Sequence, residues 1–260
     1  MNSQPIGFFD SGVGLLSVLL ETKKLLPKEN FVIFADQVHN PFGHKSKSQI
    51  KNYSNFATSY LSEKHKIKMM VLACNTATVL ALNDLRKNFN IPIVGTVPAI
   101  KPAYEKSKNL KIAVLSTPAT AKSAYLSSLI QNFAKGAKVK KIGASGLEEA
   151  IEILDFIKID RLLKNYLNDV QKFKADVVVL GCTHYPLVKD RIKKFLDTKT
   201  LLIDSGQAIS VRIKNLLEEN NNLSENKKKD FFYTTGNPKL FSEIASYLLK
   251  YEVIAQKVTI

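Results

Sequence analysis

Short apolar runs that end in a polar turn and continue as helix-like segments recur along this 260-residue chain, and this alternation constrains its fold most. Two of these runs, Met69–Ala73 and Val177–Leu180, predict buried strands, and each is followed within two residues by a cysteine. Regular alternation of strands and helices is typical of parallel sheets covered by helices. The sequence therefore predicts an α/β fold with mainly parallel sheets flanked by helices.

The alternation restarts after a segment that carries Gly95, Pro98 and Pro102, which we interpret as a crossover between two similar α/β halves. Ligands of such sheets bind beyond the carboxyl ends of the strands. Polar or reactive side chains lie at five of these predicted strand ends, namely Asp10, Asp36, Cys74, Thr117 and Cys182. If the halves face each other, the two cysteines point into one cleft, which is the predicted active site.

The net charge of +15 comes almost entirely from lysines that are scattered through helix-like segments and loops. A nucleic-acid-binding protein usually clusters basic residues with aromatic residues or within a known motif, and neither pattern occurs. We therefore expect a lysine-rich surface and no nucleic-acid partner, while the positive field favours a small anionic substrate. The polar, lysine-rich segment 220–230 predicts a mobile loop.

No apolar run approaches the length of a membrane span, and the N-terminus lacks the pattern of a signal peptide. The sequence thus predicts a cytoplasmic protein with no membrane segment. In that compartment its two cysteines, Cys74 and Cys182, are expected to be free thiols. Two cysteines cannot complete a four-ligand zinc site, and the spacing of Cys182 and His184 is not a common zinc spacing, so no metal is predicted.

The turn Asp10–Gly14 follows the first predicted strand and contains a Gly-x-Gly pattern. Ser17 stands where a third dinucleotide-binding glycine would be, and there is no Walker lysine, so the pattern is weak evidence for a nucleotide. We predict no cofactor. Asp10 is compatible with two roles, as a cap of the following helix or as a functional carboxylate.

The two cysteines suit a reaction that inverts a carbon atom bearing a hydrogen, because a thiolate can remove the proton from one face while a thiol delivers another to the opposite face. A positioned acid or base contributes about 10²–10⁴-fold in rate. An unassisted cysteine is only a few per cent thiolate at neutral pH. Asp10 is the candidate helper of Cys74, and His184 is that of Cys182. The alternative is that both cysteines are small hydrophobic core residues.

Five motifs resemble those of glutamate racemases of the cofactor-independent aspartate/glutamate racemase superfamily. They are Phe9–Gly14, Pro41–Gly43, Ala73–Ala77, Val97–Pro102 and Gly181–Pro186. The last is the most specific, because aspartate racemases of the superfamily usually carry an acid where His184 stands. The resemblance covers nearly the whole chain. It implies a cytoplasmic glutamate racemase that supplies D-glutamate for peptidoglycan, and we expect a homodimer.

The resemblance also implies two α/β domains with the first completed by the C-terminal segment, which corresponds to residues 1–97 with 207–260 and to residues 98–206. The implied proton-transfer residues are Cys74, which acts on the D-enantiomer, and Cys182, which acts on the L-enantiomer. The implied supporting acids and bases are Asp10, His184 and Glu152, with Glu148 and Glu149 as alternatives to Glu152. The implied substrate contacts are Asp10, Ser11, Phe42, Gly43, Asn75, Thr76, Thr117, Thr120, Thr183 and His184.

Three departures from the family pattern stand out. The family usually has tyrosine at the position of Phe42 and a second glycine at that of Leu15, and residues 36–40 differ from the usual small-residue and arginine pattern. If the backbone of Phe42 contacts the substrate, loss of the hydroxyl matters little; if a hydroxyl is needed, substrate preference or rate differs. No extension precedes the first strand, so we expect no regulation through one.

Two other functions stay open from sequence. One is a racemase of the same superfamily that acts on aspartate or another amino acid. The other is a binding protein that kept the fold and lost catalysis, as some family members are reported to bind DNA gyrase. The presence of both Cys74 and Cys182 argues against lost catalysis.

Overall fold

The computed structural model describes residues 3–260, which form ten strands and eleven α-helices. The strands are β1 (Ile6–Asp10), β2 (Phe31–Ala35), β3 (Met69–Leu72), β4 (Ile93–Gly95), β5 (Lys111–Ser116), β6 (Lys138–Gly143), β7 (Val177–Leu180), β8 (Leu201–Ile203), β9 (Phe231–Thr234) and β10 (Ala255–Lys257). The helices are α1 (Leu15–Leu25), α2 (Lys47–His65), α3 (Asn75–Asn88), α4 (Ile100–Lys106), α5 (Pro118–Lys122), α6 (Ala124–Phe133), α7 (Leu147–Glu152), α8 (Phe156–Phe173), α9 (Lys189–Lys193), α10 (Gly206–Glu219) and α11 (Pro238–Leu249).

The chain divides into two compact units, each built on one parallel sheet. The first unit comprises Met1–Thr96 and Gly206–Ile260, and the second comprises Val97–Ser205. The predicted α/β class with parallel sheets is therefore confirmed. The predicted division into domains, 1–97 with 207–260 and 98–206, stays a prediction, and residues 1 and 2 of the first domain lie outside the described part of the chain.

The first unit contains a six-stranded sheet in the order β10-β9-β2-β1-β3-β4, in which every pairing is parallel. Strands β1, β2 and β3 are buried along their whole length, which explains why they are apolar throughout rather than alternating. Phe9 lies opposite Leu72, and Asp10 lies opposite Ala35. The residues that follow β1, β2 and β3 consequently emerge at the same edge of the sheet.

The second unit contains a four-stranded parallel sheet in the order β6-β5-β7-β8. Leu115 of β5 lies opposite Leu180 of β7, so the turns after these two strands are neighbours. Helix α8 covers the sheet with an apolar stripe at helical spacing, made of Ile159, Leu163, Leu167 and Val170. Burial of each such side chain is worth about 1.5–3 kcal/mol, so the stripe fixes α8 on the sheet.

Segment 220–230, which the sequence predicts to be a mobile loop, is tied to the first unit. The backbone N–H of Ser224 donates to Oε1 of Glu29 at 2.7 Å, and Nζ of Lys68 donates to the carbonyl of Asn222 at 2.6 Å. Glu29 and Lys68 are themselves buried and form an ion pair at 2.7 Å. A polar composition did not reveal these bonds, because the bonded partners lie 154 and 195 residues apart along the chain.

Candidate active site

The first group of candidate residues lies at the carboxyl edge of the first unit's sheet. Asp10 ends β1 and Cys74 follows β3, and these strands are neighbours, with the N–H of Ala73 donating to the carbonyl of Phe9 at 2.8 Å. Asp10 is fully buried, and Cys74 is a buried free thiol. The sheet register thus brings the predicted helper carboxylate and the predicted proton-transferring thiol to adjacent strand ends.

Asp10 organises the turn that follows it rather than capping α1. Its Oδ1 accepts hydrogen bonds from the N–H of Ser11 at 2.7 Å and from the Ser11 hydroxyl at 3.3 Å. The Ser11 hydroxyl in turn accepts from Nδ2 of Asn40 at 3.2 Å. Gly14 occupies the cap position of α1, and no side chain caps the helix. Of the two roles left open by sequence, the structure does not support the helix cap.

Cys74 precedes α3 directly, so the thiol lies at the positive end of a 14-residue helix. The N–H of Thr78 is bonded to the carbonyl of Cys74, whereas the N–H groups of the first turn, from Asn75 to Ala77, have no partner within the helix. Oδ1 of Asn75 is buried and has no hydrogen-bond partner among the described residues. Buried polar groups rarely stay unpaired, so this acceptor is suited to a bound ammonium or amide donor.

Phe42 belongs to the core and not to a polar pocket. It starts a short 3-10 helix, Phe42–His44, after the cis peptide bond between Asn40 and Pro41. Its ring lies 5.9 Å from the rings of both Phe9 and Tyr53. The Phe42 side chain is therefore buried in an aromatic cluster, and a contact of the Phe42 and Gly43 backbone with the substrate stays a prediction.

The second group lies at the carboxyl edge of the second unit's sheet. Gly181 follows β7 and packs closely against β5, since its N–H donates to the carbonyl of Leu115 at 2.8 Å. A Cβ at this position would lie 3.1 Å from Cβ of Ser116 and 3.3 Å from the carbonyl oxygen of Leu115. The glycine therefore allows the tight turn that presents Cys182, which is buried and is not in a disulfide.

Cys182, His184 and Glu152 form a chain of polar contacts. Sγ of Cys182 lies 3.7 Å from Nδ1 of His184, and Nε2 of the same ring lies 2.6 Å from Oε2 of Glu152. The His184 side chain is 1% exposed and that of Glu152 is 12% exposed. Of the three glutamates that the sequence leaves open, Glu152 forms this short contact with His184, while the charge of Glu148 also raises the pKa of His184.

Burial and hydrogen bonding have opposite effects on the pKa values of Cys182 and His184. Burial raises the pKa of Cys182 to about 11, and the nearby charge of Glu148 adds to this, while His184 acts in the opposite direction. Burial by itself would lower the pKa of His184, but hydrogen bonds with Cys182 and Glu152 raise it well above its usual value. Burial thus opposes formation of the Cys182 thiolate, whereas the adjacent imidazole of His184 favours it.

Threonine hydroxyls lie at the same carboxyl edge of the second unit's sheet. Thr117 follows β5 and accepts from the N–H of Thr120 at 3.4 Å, and its own hydroxyl donates to the Thr120 hydroxyl at 3.1 Å. Thr183 is buried between Cys182 and His184. Since β5 and β7 are neighbours, these threonines and Cys182 lie at one edge of one sheet.

Sequence reasoning missed a buried cluster in the first unit. Oδ1 of Asp36 accepts from the Thr235 hydroxyl at 2.8 Å and lies 2.8 Å from Nδ1 of His39. Burial raises the pKa of Asp36, although the bonds from His39 and Thr235 and the charge of Lys45 oppose this. The position of Asp36 at a strand end was visible in sequence, whereas nothing in the sequence pointed to Thr235.

Residues 3–260 contain no group of three or more histidine, cysteine, aspartate or glutamate side chains arranged to hold a metal ion. Over the same residues, none of the helices combines the length and apolar character needed to cross a bilayer.

Comparisons with known proteins agree over most of the chain. A family model described as Asp/Glu/Hydantoin racemase matches residues 38–212. A glutamate racemase of Clostridium botulinum (strain Kyoto / Type A2) is 40% identical over 232 residues, which are 88% of this chain and 89% of the relative.

Solved structures give the same result. A glutamate racemase isoform of Bacillus anthracis superposes with a TM-score of 0.89 at 29% identity over 100% of this chain and 98% of its own. The Escherichia coli glutamate racemase in complex with L-glutamate and an activator gives 0.85 at 31% identity over 99% of both chains. An aspartate racemase of Picrophilus torridus gives 0.56 at 17% identity over 83% of this chain and 93% of its own, which shows a shared fold alone.

Proposed function

Because the chain belongs to the Asp/Glu/hydantoin racemase family, we propose that it is a glutamate racemase, an isomerase that interconverts L-glutamate and D-glutamate. The observation that carries the mechanism is that each unit presents one buried free thiol, Cys74 or Cys182, at the carboxyl end of a central strand. The solved Escherichia coli relative holds L-glutamate, which supports the same substrate here.

In the proposed reaction, one cysteine thiolate removes the Cα proton of glutamate and the other cysteine delivers a proton to the opposite face. With L-glutamate, Cys182 takes the proton and becomes a thiol, while the Cys74 thiol gives up its proton and becomes a thiolate. The reverse reaction exchanges these roles, so no net proton is consumed. The mechanism requires both sulfur atoms to reach the same Cα.

Each thiol needs a partner to form its thiolate. For Cys182 the partner is His184: one proton moves from Sγ to Nδ1 to give a thiolate beside a protonated imidazole, and Glu152, 2.6 Å from Nε2, stabilises the protonated ring. This compensates for the burial that raises the pKa of Cys182. For Cys74 the partners are the positive end of α3 and the neighbouring carboxylate of Asp10, which acts as proton acceptor.

Glutamate carries a carboxylate and an ammonium group on the same carbon atom, and polar groups at the Cys74 edge of the sheet suit both. The unpaired N–H groups of the first turn of α3 suit a carboxylate, and the buried Oδ1 of Asn75 suits the ammonium group. We propose that the full set of contacts is Asp10, Ser11, Phe42, Gly43, Asn75, Thr76, Thr117, Thr120, Thr183 and His184.

The wider setting of the enzyme is also part of the proposal. It needs no cofactor, because the two thiols perform both proton transfers. It works in the cytoplasm as a homodimer and supplies D-glutamate for peptidoglycan. A racemase acting on aspartate is the alternative, and the aspartate racemase structure at 17% identity supports only the fold.

The test is exchange of the Cα proton in deuterated water, followed by NMR with L-glutamate, D-glutamate and L-aspartate. We expect exchange and inversion with both glutamates and at least about 100-fold slower exchange with aspartate. Exchange with aspartate alone would contradict the proposed substrate. Full activity in the Cys74→Ala, Cys182→Ala double variant would contradict the two-thiol mechanism.

A further inference from the structure

The loop between β2 and α2, residues 36–46, carries two of the proposed substrate contacts, Phe42 and Gly43. Asn40 in this loop donates to the Ser11 hydroxyl at 3.2 Å. Further on, Phe42 belongs to the same buried hydrophobic cluster as Cys74. The conformation of this loop therefore determines where the backbone of Phe42 and Gly43 lies relative to the Cys74 edge of the sheet.

The beginning of the loop is held by a residue from the C-terminal segment. Strand β9 pairs with β2, and Thr235 directly follows it. The Thr235 hydroxyl donates to Oδ1 of Asp36 at 2.8 Å and accepts from the N–H of Val38 at 3.0 Å. Thr235 is 3% exposed and Asp36 is fully buried, so water does not replace either bond easily.

Neighbouring contacts restrict the loop further. Nδ1 of His39 lies 2.8 Å and 3.0 Å from the two carboxylate oxygens of Asp36, and its ring stacks on Tyr53 with centroids 3.8 Å apart. A Cβ at Gly236 would lie 2.7 Å from Oε1 of Gln37, so the two segments approach as closely as a glycine allows. The hydroxyl of Thr235 thus sits at the centre of a close contact between the C-terminal segment and the loop.

We propose that Thr235 is a positioning residue, whose hydroxyl holds Asp36 and Val38 and thereby sets the conformation of residues 36–44 for substrate binding. The inference rests on the proposed racemase function and adds to it a residue outside the motifs that suggest that function. Thr235 acts through the loop and not on the reacting atoms. Its loss should therefore weaken substrate binding more than proton transfer.

The decisive variants are Thr235→Val, which keeps the size and removes the hydroxyl, and Thr235→Ser, which keeps the hydroxyl. We expect Thr235→Val to raise KM for both glutamate enantiomers about tenfold, the value of one or two buried hydrogen bonds, with kcat changed less than about threefold. Thr235→Ser should restore KM to within about twofold of the parent protein.

The matched control is Thr22→Val, because Thr22 is also buried. Its hydroxyl donates to the carbonyl of Val18 at 2.8 Å and contacts the Ser210 hydroxyl at 3.0 Å. It should lower the melting temperature without raising KM. If Thr235→Val lowers the melting temperature as Thr22→Val does and leaves KM within about twofold, Thr235 is only a structural residue.

A second readout separates this inference from the proposed function. Hydrogen–deuterium exchange of the backbone amides of residues 37–44 should become faster in Thr235→Val and stay unchanged in Thr22→Val. This measurement does not depend on catalysis. Unchanged exchange in Thr235→Val would overturn the positioning role even in an active enzyme, whereas an inactive parent protein would refute the racemase function alone.

Discussion

Nε2 of His184 lies 2.6 Å from Oε2 of Glu152, and both side chains are largely withdrawn from water. A carboxylate in this position favours the protonated imidazole, and the other ring nitrogen lies toward Sγ of Cys182. The pair therefore offers a positive charge beside a thiol that burial alone would keep protonated. This relationship couples a residue of α7 to the turn after β7, 32 positions later in the chain.

Replacing Glu152 by glutamine should impair the enzyme in a pH-dependent way. The pKa of His184 is raised in the folded protein partly by Glu152, so it should fall in Glu152→Gln. We expect kcat to drop about 10–100-fold and the alkaline limb of the kcat/KM profile to move to lower pH, because protonated His184 is lost earlier. Racemisation rates measured between pH 6 and 10 check this.

The matched control for that variant is Glu149→Gln, which removes a carboxylate from the same short helix, α7, without touching the bond to His184. It should change kcat less than about threefold and leave the pH profile in place. Equal loss of activity in both variants would mean that the negative charge of α7, and not the contact with His184, supports Cys182.

The buried ion pair of Glu29 and Lys68 should be important for stability. Their side chains are 2% and 1% exposed, and Lys68→Met would leave the carboxylate of Glu29 buried without its partner. We expect the free energy of unfolding to fall by about 3–5 kcal/mol. Urea unfolding followed by circular dichroism measures the change.

An exposed ion pair gives the comparison for this experiment. Nζ of Lys24 lies 2.6 Å from Oε1 of Glu21, but the Lys24 side chain is 69% exposed. Lys24→Met should therefore cost less than about 1 kcal/mol. If Lys68→Met is equally mild, the attachment of segment 220–230 through Lys68 contributes little to the fold.

Asp176 should stabilise the folded protein at neutral pH and lose this effect in acid. Burial by itself would raise its pKa, but hydrogen bonds from the Ser107 hydroxyl and from the N–H groups of Asn109 and Lys108 outweigh this and lower it. A depressed folded-state pKa gives stabilisation that is complete above the unfolded-state value of about 3.9 and is lost as pH falls through the folded-state value.

Asp176→Asn should therefore be less stable than the parent protein at pH 6, and the difference in melting temperature should shrink at pH 2.5. The control is Asp190→Asn, which changes a carboxylate that is 94% exposed and should have a small effect at both pH values. A difference for Asp176→Asn that stays constant between the two pH values would refute the assigned cause.

Much of the architecture could be predicted because its signals are local. The buried runs of β1, β3 and β7 are continuous and apolar, and each is followed by a turn and a helix, which is sufficient to predict parallel sheets. Residues that follow such strands share one edge, so Asp10 and Cys74 were expected together in one half and Thr117 and Cys182 in the other.

Contacts between distant parts of the chain could not be predicted in this way. Three glutamates within five positions look equivalent in sequence, and only the packing of α7 against the turn after β7 selects Glu152 as the partner of His184. Likewise, Thr235 meets Asp36 only because β9, from the far end of the chain, pairs with β2. Hydrophobic periodicity specifies which face of an element is buried, but the partner across that face is determined by side-chain packing among elements far apart in sequence.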